Sequence, residues 1–191
     1  MIISVDPTYV PITEKPYCCV PAVLQMIQDR RGIGYDSQDE IGYQLGLTVP
    51  RGMALFFSKV RTGVKPFTGW GTQTSKEEYS VNNYFINNNF PLKLETYSID
   101  QVENLCKFIG EKISDNCDII LCYNSQVLFG DGDAEHVSLI QDIDTESEEI
   151  TIIDPAIGAP RVRRSYSTKI IHVLKNHSIS KLGGLWIISS S

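Results

Sequence analysis

The sequence predicts an α+β protein, and three observations carry that prediction. Apolar residues recur at helical spacing between residues 19 and 115, continuous or alternating β-branched runs take over from residue 117, and Gly- and Asp-containing turns between those runs favour antiparallel pairing. Helices followed by strands suggest one unit over 1–191, a helical part at about 19–115 packed on a strand-rich part at about 117–191 with a groove between them.

Residues 1 to 18 read as extended, because Pro7, Pro11 and Pro16 each fix their own φ and push the preceding residue away from helix. A nearly buried helix then begins abruptly. Val20, Val23, Leu24 and Ile27 repeat at helical spacing, Ala22 and Met26 widen the apolar face, and Pro21 suits a first turn. Arg30, Arg31 and Gly32 supply a cationic last turn and a left-handed stop. Ser37 to Glu40 is a capping-box pattern opening a second helix through Ile41 and Leu45, and residues 52 to 61 predict a third through Met53, Leu55, Phe56, Phe57 and Val60. Residues 62 to 74, rich in Gly and aromatics, read as a surface loop that either walls a groove, with Trp70 and Gly71 as substrate-binding candidates, or simply covers the core with its apolar side chains. A second capping box at Ser75 to Glu78 opens a helix through Ile86, Pro91 to Tyr97 reads as a short strand, and Ser98 to Gln101 caps a helix carrying Leu105, Phe108, Ile109 and Ile113. Further strands are predicted at 118–123, 136–143, 150–154 and 185–189.

A hydrophobic content of 42% with 21% charged residues is that of an ordinary globular chain, and a net charge of −6 without a Lys/Arg block argues against a nucleic-acid partner. Neutral or basic peptides fit better. No run approaches membrane-spanning length and the N-terminus lacks a signal-peptide pattern, so a cytoplasmic location is expected, with signal-independent secretion as an effector left open. Five cysteines, an odd number, favour reduced thiols over a disulfide scaffold. No pattern bears on oligomeric state.

Two adjacent thiols, Cys18 and Cys19, stand where the extended segment becomes the first helix. A helix N-terminus leaves backbone N–H groups without partners and carries about half a positive charge, which biases a thiol there towards the nucleophilic thiolate. Cys19, at the cap or just before the first turn, is the better placed; the plainer account makes both thiols small buried hydrophobes. His136 follows a polar loop and opens an apolar strand, a position from which an imidazole can face a cleft and take the thiol proton. An exposed strand-edge His is the alternative. Asp154 ends the next strand, and a hairpin through the acidic turn at 144–149 returns its carboxylate towards the start of the first, as an orienting group requires. An ordinary Asp-Pro turn is the alternative. Together the three occupy the element ends, in the order, that a Cys-His-Asp hydrolase needs.

The segment Cys19-Val20-Pro21-Ala22-Val23-Leu24-Gln25-Met26, with His136-Val137-Ser138-Leu139-Ile140, the turn Asp154-Pro155-Ala156-Ile157-Gly158 and the closing run Leu182 to Ile188, resembles the papain-like cysteine peptidases over nearly the whole chain. The resemblance is closest to their bacteriocin-leader-processing, double-glycine (C39-like) branch. It implies a papain-like fold, a nucleophile at Cys19 rather than Cys18, a peptide or protein substrate with small residues beside the scissile bond, and cleavage through a thioester. Two departures stand out. Val20 replaces the usual Gly, and six residues before Cys19, where the family has its oxyanion Gln, stands Thr13. Either Thr13, Tyr17 or the Cys19 backbone N–H then serves as oxyanion donor, or turnover is weak. The alternatives are a catalytically weak or inactive peptide-binding module of the same fold, or an acyltransferase, transpeptidase or effector using the same triad.

Cys117 and Cys122 have the wrong spacing for a zinc knuckle and read as core. Asp131, Asp133 and Glu135 lack the rest of an EF-hand pattern and read as a solvated loop. His172 and His177 are assigned to the surface, and Arg161, Arg163 and Arg164 to a solvated edge strand. No cofactor and no metal are expected.

Overall fold

A computed structural model describes residues 1–34, 36–132, 135–176 and 183–191, and its main feature is a seven-stranded antiparallel sheet. The strand order is β4 (Leu92–Tyr97), β9 (Gly184–Ser190), β5 (Asp118–Tyr123), β6 (His136–Asp144), β7 (Glu149–Ile153) and β8 (Val162–Tyr166). β1 (Ile2–Ser4) pairs with the second half of β6. The α+β class and all the predicted strands are present. β1 and the predicted β4 join this sheet from the earlier part of the chain, and α6 (Ser167–Lys175) comes from the later one. In α6, Ile170, Val173 and Leu174 are buried at helical spacing, a pattern overlooked among the Lys and His residues around it.

α1 (Cys19–Arg31) is buried on almost every side, as its sequence predicts. Gly32 ends it at φ +63°, where the N–H of Ile33 reaches back to the Gln28 carbonyl at 3.1 Å. At this end Arg30 Nε lies 2.7 Å from Asp118 Oδ1, and the Tyr9 hydroxyl donates to the same oxygen at 2.8 Å. These bonds tie the foot of α1 to β5, whose residues are buried along their whole length. α1 also packs on α2 (Gln38–Gln44) and β6, while α4 (Leu105–Ser114) and α6 pack on each other and on β5.

Three local expectations are corrected. Residues 52–61 do not form an α-helix: Arg51–Phe56 make a 3₁₀ turn with Met53, Leu55 and Phe56 exposed. Phe57 and Val60 instead cover a small cluster of Cys18, Leu47 and Val49. Met53, Phe56, Phe57 and Val60 do hold helical spacing, but the cluster takes only Phe57 and Val60 of them, and an apolar stripe without a surface to bury it does not hold a helix. The helix expected from Ser75 starts later, as α3 (Val81–Asn87), with Ser80 Oγ accepting from the Asn83 N–H at 3.2 Å. Tyr79 is held ahead of it against Gly46, where a Cβ would lie 2.5 Å from the ring. Ser98 closes a capping box on its own short 3₁₀ turn, and Asn104 caps α4. Within the loop at 62–74, Gly71 exchanges two backbone hydrogen bonds with Thr48, each 3.0 Å. No helix among the described residues is long and apolar enough to cross a membrane. Asp133, His177 and Leu182 lie outside the described residues.

Candidate active site

Cys18 is the N-cap of α1 and Cys19 its first helical residue. No side chain among the described residues caps this end, and Pro21 has no N–H, so the Cys19 and Val20 N–H groups are the donors that the first turn presents. The two thiols part company here. Cys18 is fully buried, and burial pushes its pKa far above the ordinary thiol range, so it stays neutral. Cys19 is half-buried and lies within reach of an imidazole.

That imidazole belongs to His136, the first residue of β6, paired across the sheet with Tyr123 of β5. The Tyr123 ring meets it edge-on at 5.8 Å between centroids, which fixes the imidazole plane. β6 and β7 form the predicted hairpin, and Asp154, the residue after β7, sends Oδ1 to His136 Nε2 at 2.7 Å. Nε2 is thereby occupied and Nδ1 is the nitrogen left for the thiol. Cys19 Sγ and the nearest His136 ring nitrogen lie within 4.8 Å.

Asp154 is completely buried. Its Oδ1 also accepts from the Ala156 N–H at 2.9 Å, and Arg163 Nε stands 2.8 Å from Oδ2, off the line of a hydrogen bond, as an ion pair. Burial works against the charged form of both His136 and Asp154. For His136 the Asp154 bond and the neighbouring Cys19 side chain outweigh it and raise the pKa to about 10. For Asp154 the His136 bond, the Ala156 N–H and Arg163 outweigh it and hold the carboxyl below its usual range.

Two arginines assigned to a solvated strand turn inward instead. The Arg163 side chain is 8% exposed, stacks over Phe129 at 4.4 Å and bridges Asp154 to Asp131 Oδ1 at 3.0 Å. Arg161 Nη1 donates to the Asp154 carbonyl at 3.0 Å and the Ile12 carbonyl at 3.3 Å, pinning the Asp-Pro turn to the extended segment before α1. Arg164 is exposed as expected. The signal was strand alternation: residues 161, 163 and 165 share the face that Asp154 needs. Cys117, Cys122 and His172 keep their predicted core and surface places.

The extended segment brings a residue that sequence reasoning passed over. Glu14 donates its backbone N–H to the Pro155 carbonyl at 2.9 Å, and a carboxylate oxygen of Glu14 lies within 4.8 Å of both the Cys19 sulfur and the His136 ring nitrogen. Thr13, one of the oxyanion candidates, is exposed, and its carbonyl accepts from Gln38 Nε2 at 3.0 Å. Tyr17 sits at φ +65°, 37% exposed, in the turn before Cys18. Gly71 approaches it from the loop, where a Cβ would lie 3.8 Å from the Tyr17 carbonyl oxygen, and Trp70 beside it is half-buried.

This architecture is that of the papain-like, C39-like peptidase fold: a thiol-bearing helix end set against an antiparallel sheet. Over 100% of its length the chain is similar to the crystal structure of a candidate C39-like peptidase from Bacillus anthracis, covering 98% of that chain at a TM-score of 0.60 and 13% identity. The likeness is one of fold. No protein-family model and no curated protein matches the sequence.

Proposed function

We propose that the protein is a thiol hydrolase of peptide or amide bonds, with Cys19 as nucleophile, His136 as proton carrier and Asp154 as the group that orients the ring. The observation that carries this reading is the His136–Asp154 bond made beside a half-buried thiol on the first residue of a helix. The Cys19 thiolate attacks the substrate carbonyl carbon, and the C=O electron pair moves onto oxygen. Backbone N–H groups at the head of α1 are the donors for that oxyanion, with the Tyr17 hydroxyl as the side-chain candidate. His136 gives its proton to the departing amine, the C–N bond breaks and a thioester remains. Water then attacks the thioester, its proton passes to His136, and the acid leaves Cys19. An amine in place of water makes the same site a transpeptidase. Trp70 and Gly71, beside Tyr17, form the wall of the substrate groove in this reading.

Glu14 favours a second reading, a peptide-binding module with little turnover. An ionised carboxylate beside the thiol opposes the oxyanion that a neutral amide would stabilise. A peptidyl electrophile separates the two, with Cys106, another half-buried thiol, as internal reference. A hydrolase labels at Cys19 in preference to Cys106, and His136→Ala slows that labelling by about a hundredfold or more. Equal, slow labelling of both thiols, unchanged in His136→Ala, leaves the binding module.

A further inference from the structure

Glu14, Cys19 and His136 place a carboxylate oxygen, a sulfur and an imidazole nitrogen within 4.8 Å of one another. This is a mixed O, S and N donor set from three separate segments: the extended lead-in, the head of α1 and the start of β6. Thiolate and imidazole donors select zinc-class transition metals over calcium or magnesium. Zinc bonds of about 2.3 Å to sulfur and about 2.0–2.1 Å to nitrogen or oxygen set tetrahedral donors roughly 3.3–3.6 Å apart, so the three atoms need close by little more than an ångström. Three protein ligands with a fourth position open is the arrangement of accessible zinc sites.

The surroundings supply what such a site also requires. A metal-bound His normally donates its other ring nitrogen to a carboxylate, which fixes the ring and strengthens the ligand. His136 Nε2 meets Asp154 Oδ1 at 2.7 Å, leaving Nδ1 for the metal, and Asp154 is itself held by Ala156 and Arg163. Glu14 is fastened to the same turn through the Pro155 carbonyl. A carboxylate at position 14 is a strong ligand for a divalent ion where a neutral amide is a poor one.

We propose that Glu14, Cys19 and His136 form a reversible site for a divalent transition metal of the zinc class. Cys19 binds as thiolate and His136 through Nδ1 as neutral imidazole, any proton on the sulfur or on Nδ1 passing to solvent, and the sulfur lone pair that would attack a carbonyl is held on the metal. The consequence for activity, a nucleophile masked until the metal is withdrawn, rests on the hydrolase reading; the binding itself does not.

Cobalt(II) is the probe, because a thiolate ligand gives it a near-ultraviolet charge-transfer band that does not depend on turnover. Titration of the full chain is expected to saturate at one cobalt per chain, with zinc displacing it. Cys19→Ala abolishes the band, and Cys106→Ala leaves it intact. Asp154→Asn weakens binding about 10–100-fold, and the near-isosteric Glu14→Gln by at least as much. The proposal is overturned if folded wild-type protein gives no band at millimolar cobalt, if the band survives in Cys19→Ala, or if Glu14→Gln binds as tightly as wild type. Preferential electrophile labelling of Cys19 in the metal-free protein without cobalt binding sinks the metal site alone, and cobalt binding without such labelling sinks the hydrolase reading alone.

Discussion

Asp154 is a buried, ionised carboxylate, so its place in the fold depends on the partners that replace water. His136 and Ala156 satisfy one oxygen and Arg163 faces the other. Arg163→Ala removes the cation facing that second oxygen in a dry site and leaves His136 as the remaining counter-charge, and breaking a buried pair from one side costs about 3–5 kcal/mol. Urea denaturation is expected to show a loss of about 3 kcal/mol, with Cys19 labelling slowed in the protein that stays folded; an unchanged midpoint contradicts this role. His136 titration follows from the same contacts. Its folded pKa of about 10 lies above the ordinary 6.5, so the stabilisation it provides is complete below pH 6.5 and is lost as pH rises through about 10. The chain has three histidines, and NMR of the metal-free protein is expected to show one ring still protonated near pH 9, with Asp154→Asn bringing it down. Titration of all three near 6.5 contradicts the pairing. Cys19, His136 and Asp154 were legible as candidates because each stands at the end of an element whose pattern is strong. Glu14 and Arg163 were not, because one lies on an extended segment without periodicity and the other looks, in sequence, like an exposed charge.

Elements set the precision of the site. α1 delivers Cys19 because its far end is locked to β5 by Asp118, and the β6–β7 hairpin delivers both His136 and Asp154 from one folded unit. β9 lies beside β5 beneath this assembly, with Gly184 paired to Cys122 at φ +129° and no room for a side chain: a Cβ there would stand 2.3 Å from the Tyr97 carbonyl oxygen. Gly184→Ala therefore combines backbone strain with a clash against main chain, and a loss of about 3 kcal/mol or more is expected in thermal melting. A melting temperature within a degree or so of wild type, about the range of a neutral surface change, contradicts the strain. Strands and the first helix were readable because their apolar runs are long. The 3₁₀ turn at Arg51–Phe56 and the late start of α3 were not, because each is settled by a distant contact, with the Cys18 cluster in one case and Gly46 in the other.

At the scale of the molecule, strands from both ends of the chain join one sheet, and the extended lead-in, the first helix and the β6–β7 hairpin converge at one point of it. The α+β class follows from the succession of patterns, whereas the contribution of β1 to the sheet does not, since strand pairing between residues 2–4 and 142–144 leaves no local trace. The convergence gives the account its chemistry, and acyl-enzyme formation tests it most directly. Protein mixed with an activated peptidyl ester and sampled by intact mass and peptide mapping is expected to carry one acyl group per chain, on Cys19, appearing as a burst and decaying to free acid, and absent in Cys19→Ala and His136→Ala. Acylation that falls on Cys106, or that proceeds equally in His136→Ala, contradicts the account.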